Sequence, residues 1–211
     1  VRASDDVEQL GQTRDDAAGE AFDKVAKLLS LGYPGGPRID RLAASGDGDR
    51  VRLPRSLRRK DSLEFSFSGL KTAVAQHIRV HGVPDQPAAV ADLCASFQKV
   101  VVDTLVDKCL AACAMRNVRN LVITGGVAAN RGLRATAEHR CREHGIVLRV
   151  PSARVCTDNA AMIAYAGAAR LRAGEDDGLS LSVFSRSPIL GASASSPALR
   201  RYRSSRLPRA Q

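Results

Sequence analysis

Apolar residues recur at helical spacing over residues 15–31, through Ala18, Phe22, Val25, Leu28 and Leu29, and this spacing predicts an amphipathic helix. The run stops at Gly32-Tyr33-Pro34-Gly35-Gly36-Pro37, a string of backbone breakers too dense for either helix or strand. A second short helix is predicted over 39–44. Residues 45–61 are polar and basic with no periodicity, which predicts an exposed loop carrying Arg50, Arg52, Arg55, Arg58, Arg59 and Lys60. Glu64-Phe65-Ser66-Phe67 alternates like a short strand, and helical spacing returns over 69–80 through Leu70, Val74 and Ile78. From 88 to 115 the set Leu93, Phe97, Val100, Val101, Leu105 and Leu110 predicts a long buried helix or a broken pair. The last third then alternates: a strand over 121–124, the turn Gly125-Gly126-Val127-Ala128-Ala129-Asn130, a helix over 131–144, a strand over 146–150, a loop, and an Ala-rich helix over 158–171. Such alternation defines an α/β layer. After Leu190 the composition shifts to Ser, Ala and Arg, and the tail 191–211 is expected to be disordered.

Composition narrows the class. With 44% apolar residues in 211, the chain can bury a core. Its 32 Lys and Arg against 22 Asp and Glu give a formal charge of +10, which suits a polyanionic partner such as RNA. No Trp, three Tyr and five Phe leave too few aromatics for a base-stacking platform, so contact with nucleic acid would run through phosphates. The five cysteines, Cys94, Cys109, Cys113, Cys141 and Cys156, include no C-x-x-C pair and fit a reducing cytoplasm. Cys109 and Cys113 read as small buried hydrophobes of one helix. No apolar run reaches the ~18 residues of a membrane span, so no membrane partner is expected.

Three places could carry chemistry. Gly125-Gly126, set after a strand taken as buried, lets the backbone approach a ligand where the next helix presents free N–H groups, and Asn130 either caps that helix or reaches the ligand. Asp158, in Thr157-Asp158-Asn159, opens the Ala-rich helix as an N-cap or faces a metal; alone it is too few ligands for one. Asp23 lies near the apolar face of its helix, where an acid is costly unless paired or bound to ligand. With Asp40 and the glycine loop it could accept hydroxyl hydrogen bonds, although a helix C-cap explains the glycines as well. Asp15 and Asp16 read as ordinary caps of the first helix. His77 and His81 have the H-x-x-x-H spacing but sit at a helix end in a basic segment without an intervening Glu, and are read as surface.

Taken in order, Gly19-Glu20-Ala21-Phe22-Asp23-Lys24 with Tyr33-Pro34-Gly35-Gly36-Pro37, then Phe65-Ser66-Phe67-Ser68-Gly69-Leu70-Lys71-Thr72, then Gly125 to Asn130, then Cys156-Thr157-Asp158-Asn159-Ala160-Ala161-Met162, resemble the TsaD family over about residues 1–190. The resemblance implies an α/β, actin-like ATPase (ribonuclease-H-like) second lobe with inserted helices over 1–190. It implies transfer of a threonylcarbamoyl group from threonylcarbamoyl-adenylate to N6 of adenosine 37 in tRNAs reading codons that start with A. Carried over by motif, Asp23, Gly36, Asp40 and Asn130 would bind the adenylate. Asp158 would be a ligand of one divalent ion, iron or zinc, per full-length subunit. Partners implied are tRNA and the accessory proteins TsaB and TsaE, in the cytoplasm.

The family pattern also includes a first lobe with an H-x-x-x-H metal pair and a Ser-Gly-Gly-His stretch, neither of which this sequence holds. A truncated form is therefore expected, with a sheet short of a strand or more and little or no transferase activity alone. Two other readings stand beside this one: a non-catalytic remnant that docks to partner proteins, and another actin-like ATPase such as a sugar kinase. A protease lacks support, since no nucleophile is paired with a base.

Overall fold

A computed structural model describes residues 8–57, 62–172 and 174. Along them run α1 (Ala18–Leu28), α2 (Gly35–Ala43), α3 (Ser68–His81), α4 (Pro87–Met115), β1 (Asn120–Val122), α5 (Arg131–Glu143), β2 (Val147–Arg149) and α6 (Ala160–Arg172). Single 3-10 turns occupy Gly126–Ala129 and Ala153–Val155. Strands β1 and β2 pair in parallel, with Leu121 opposite Leu148, and α5 makes the crossover. The α/β reading of the last third holds. The tail 191–211, Arg58, Arg59 and Lys60 lie outside the described residues.

Helix α4 is the axis of packing. It is one continuous helix of 29 residues rather than a broken pair, with Pro87 in its first turn, where a missing N–H does no harm. Its amino-terminal half buries Leu93, Cys94, Phe97 and Val101 against Phe22, Val25, Ile39, Leu70 and Val74 of α1, α2 and α3. Phe22 meets Phe97 edge to face, centroids 5.1 Å apart. Its carboxyl-terminal half buries Val102, Val106 and Leu110 against Leu133, Ala137 and Cys141 of α5, with Leu121 and Leu148 of the strands packed alongside. Burial pushes the Cys94 and Cys109 thiols up to about 11, which keeps them protonated and inert.

Four expectations are corrected. Helix α1 starts at Ala18, not at residue 15, because Asp15 is turned to another helix. Its carboxylate accepts from Phe67 N (2.8 Å), Ser68 N (3.2 Å), Ser68 Oγ (2.7 Å) and Ser66 Oγ, capping α3 across the fold. Asp16 is paired with Lys24 rather than capping α1. Glycine density does not prevent a helix at 35–37: α2 begins at Gly35, and Pro37 falls in its first turn, where proline is tolerated. The strand over 64–67 reduces to a single parallel bridge between Thr13 and Phe65.

The basic stretch after α2 is a loop with Arg50 and Arg52 exposed, as expected, and it is pinned to the core at several points. Val51 and Leu53 pack on the core, Val51 N donates to Ser96 Oγ (3.1 Å), and Asp47 N donates to Asp92 Oδ1 (2.7 Å). Two anchor points on α4, buried Ser96 and half-buried Asp92, thus hold it down.

The Asp15 cap has a measurable signature. Desolvation pushes its carboxyl up, but the bonds from Ser66, Phe67 and Ser68 outweigh that and hold it well below the usual carboxylate range. A lowered folded value means the stabilisation is complete above the unfolded value of about 4 and is lost as pH falls toward the folded one. Asp15→Ala should lower unfolding free energy by about 1 kcal/mol at neutral pH. Urea titrations of both proteins should show that gap closing as the pH is taken below about 4.

Candidate functional site

Of the five residues singled out in the sequence, Asn130 and Asp40 meet at the amino end of α5, directly after a glycine turn, while Asp23 and Gly36 lie at the junction of α1 and α2 and Asp158 in the loop before α6. Gly125 follows β1 with φ +91°, a conformation that favours glycine, and it redirects the chain into the 126–129 turn. A methyl group on Gly19 of α1 would lie 3.5 Å from Val127 Cγ2, and one on Gly126 would lie 3.9 Å from Thr157 Cγ2. Helix α1 thus approaches the turn at Gly19, and the loop that carries Asp158 approaches it at Thr157. Asn130 closes it, and Asp40 reaches its far end from α2.

Most of these side chains are already engaged. Asp23 Oδ1 accepts from Gly35 N at 2.7 Å, so this half-buried acid caps α2, and the pairing offsets the cost of an acid on an apolar helix face. Asp40 has a side chain only 11% exposed. It accepts from Arg131 Nε (2.8 Å), Arg131 N (3.2 Å) and Gly132 N (3.4 Å) at the amino end of α5. A negative charge there complements the helix dipole and matches the Arg131 guanidinium. Asn130 Oδ1 accepts from Leu133 N (2.8 Å) as the N-cap of α5, while its Nδ2 donates to Gln98 Oε1 (2.6 Å). Of the two readings left open for Asn130, the cap is the one the geometry displays. Gly36 is different, because a methyl group there would meet nothing within 4 Å.

Two expectations fail here. The strand before the turn is not buried: Asn120 and Val122 of β1 are exposed and Leu121 is half-buried, since one neighbouring strand and α5 cover only one face. Asp158 does not cap α6. That helix begins at Ala160, and Asn159 Oδ1 accepts from Met162 N at 3.0 Å while Asp158 is exposed. Among the described residues, no three of His, Cys, Asp and Glu converge to hold a metal ion. A lone carboxylate does not hold a divalent ion firmly, so these residues by themselves do not fit a metal.

Arg134, Gln98 and Arg131 escaped the sequence reading. Arg134 Nε donates to Ala128 O (2.6 Å), and its Nη2 donates to Pro151 O (2.7 Å) and to Cys156 Sγ (3.3 Å). One guanidinium thereby ties the glycine turn to the loop that carries Thr157 and Asp158. In sequence it is one arginine of many on a polar helix, and nothing in the pattern distinguishes it.

An open groove of about 470 Å³ lies along α1, lined by Glu20, Asp23, Lys24, Lys27, Gly32 and Tyr33 among others. The larger cavity, about 550 Å³ around Arg55, Asp107, Lys108 and Arg140, contains none of the five residues. Of the two, the smaller touches one candidate residue, Asp23.

Fold and site define a class: an α/β chain in which a glycine turn after a parallel strand leads into a helix whose amino end is held by Asn130 and Asp40. The chain belongs to the TsaD family, whose model, described as tRNA N6-adenosine threonylcarbamoyltransferase, matches residues 1–165. A protein of that name from Sorangium cellulosum (strain So ce56) is 55% identical over 185 residues, 87% of this chain and 52% of its own length. One from Anaeromyxobacter dehalogenans (strain 2CP-1 / ATCC BAA-258) is 54% identical over 178 residues, 84% of this chain and 53% of its own length. Another, from Syntrophus aciditrophicus (strain SB), is 51% identical over 180 residues, with 85% and 53% covered. The chain spans about half the length of these curated relatives. Among the described residues no helix is long and apolar enough to cross a membrane.

Adjacent glycines should respond oppositely to substitution. A Cβ on Gly35 would stand 2.6 Å from Ala26 Cβ and 2.8 Å from Phe22 O, so Gly35→Ala should destabilise by about 1–3 kcal/mol. Gly36→Ala should leave the melting temperature within error of the parent. Thermal unfolding of the two variants side by side checks both.

Proposed function

We propose that this chain supplies one wall of the site at which a threonylcarbamoyl group passes from threonylcarbamoyl-adenylate to N6 of adenosine 37, in tRNAs that read codons starting with A. What supports this reading is the family match over residues 1–165, together with the bonds by which Asp40 and Asn130 hold the amino end of α5 directly after the glycine turn. On this reading residues 1–190 are the second lobe of an actin-like ATPase fold. The accessory proteins TsaB and TsaE act with it in the cytoplasm.

The residues divide the work by their present bonds. Gly36 leaves open space in front of the first turn of α2, where a polar part of the adenylate can approach the backbone. Asp23 fixes that helix end and stands beside the groove, where a ribose hydroxyl can donate to it. Asp40 and Asn130 act through α5, holding its amino end and the turn in place. In the transfer the adenosine N6 attacks the carbamoyl carbon, a C–N bond forms, the bond to the phosphate oxygen breaks, and AMP and a proton leave. The adenylate is already activated, so the protein's contribution is to position a weak nucleophile and exclude water. Asp158 is the one carboxylate this reading assigns to a divalent ion. It makes no site alone, and no step is derived through the ion. For the same reason the 211-residue chain is expected not to complete the transfer unaided.

Calorimetric titration with a non-hydrolysable threonylcarbamoyl-adenylate analogue tests the binding half. The chain should bind it, and Gly36→Leu, whose Cβ meets nothing within 4 Å, should weaken binding by on the order of a hundredfold, about 2.7 kcal/mol, at unchanged melting temperature. Equal affinity of the two proteins, or no binding by either, would remove the site from this surface.

A further inference from the structure

We propose that His77 and His81 form a chelating pair for a borderline divalent transition ion of the Ni²⁺, Cu²⁺ or Zn²⁺ class, at the carboxyl end of α3. The two residues are four apart on a helix, hence stacked on one face. Their ring centroids are 4.6 Å apart with the planes tilted by 42°. Metal–nitrogen bonds of about 2.0–2.1 Å place each imidazole centroid about 3.2 Å from an ion, so two ligands at a right angle have centroids about 4.5 Å apart. The observed separation therefore already matches two cis imidazoles on one ion, and binding would need ring rotation rather than helix movement.

The surroundings favour a cation. His81 is the last residue of α3, whose unpaired carbonyls and dipole make this end negative. The neighbouring cation Arg79 projects from another side of the helix, and its Nε donates to Gln76 Oε1 at 3.0 Å, which holds its charge aside. His81 is exposed and His77 half-buried, so an ion with its remaining waters can reach both. Partial burial, then the proximity of His81, lowers the pKa of His77, which enlarges the neutral fraction that a metal needs. Imidazole pairs suit Ni²⁺, Cu²⁺ and Zn²⁺ and disfavour Mg²⁺ and Ca²⁺. The pair is separate from the glycine turn and stands independently of the function proposed above.

Titrating the 211-residue chain with NiCl₂ by calorimetry, with His77→Ala and His81→Ala in parallel, tests the pair. Either substitution should weaken the tight phase by on the order of a hundredfold, since one ligand loses the chelate advantage of two. Ni²⁺ should raise the melting temperature of the parent only, with EDTA reversing it, and Mg²⁺ should do nothing. His81 is exposed, so His81→Ala keeps the fold even if His77→Ala does not. Parent and His81→Ala binding Ni²⁺ alike, or a parent with no tight phase, overturns the proposal.

Discussion

Carboxylates that cap helices other than their own hold this chain together. Asp15, ahead of α1, closes the amino end of α3; Asp23, in α1, closes that of α2; Asp40, in α2, closes that of α5. Each bond joins elements 12 to 91 residues apart, so each is both a local cap and a tertiary tie. Free N–H groups at a helix start must find acceptors, and an acid on a neighbouring element supplies one together with a charge that suits the dipole. The order of packing follows: α1 sets α2, α2 sets α5, and α5 carries the glycine turn.

This arrangement changes what the acidic residues can be said to do. An acid on an apolar helix face invites a ligand hypothesis, and the cap provides a structural reason for its presence as well. Asp40, with Arg131 on one side and two backbone donors on another, is engaged before any ligand arrives. Binding roles for Asp23 and Asp40 therefore act on top of structural ones. Gly36 and Asp158 carry no comparable structural duty, which makes them the cleaner probes of function.

Much of this was legible in the chain itself. Helix periodicity located α1, α3, α4 and α5 to within a few residues, and the strand, glycine turn, helix and strand of the last third came from punctuation alone. What was not legible shares one cause. The start of α1 was misplaced because Asp15 bonds to residues 51 to 53 positions away, and no local pattern encodes that. Strand β1 looked buried because Leu121-Val122-Ile123 is apolar, whereas burial depends on neighbours that sequence does not count. Arg134 and Gln98 were missed because an arginine or glutamine on a helix is ordinarily solvated, and only tertiary contact reveals a clamp. The resemblance of the motifs to one family was readable at once, since motif order survives where geometry cannot be read.

Helix α4 has a further consequence. At 29 residues it runs about 43 Å, and successive stretches of it form the floor of both apolar clusters, Leu93 to Val101 for one and Val102 to Leu110 for the other. No loop separates the two, so neither can loosen without pulling on a rod the other also grips. The chain should behave as one cooperative unit from α1 to β2, and a disturbance beside Phe97 would be felt by the strand that leads into the glycine turn.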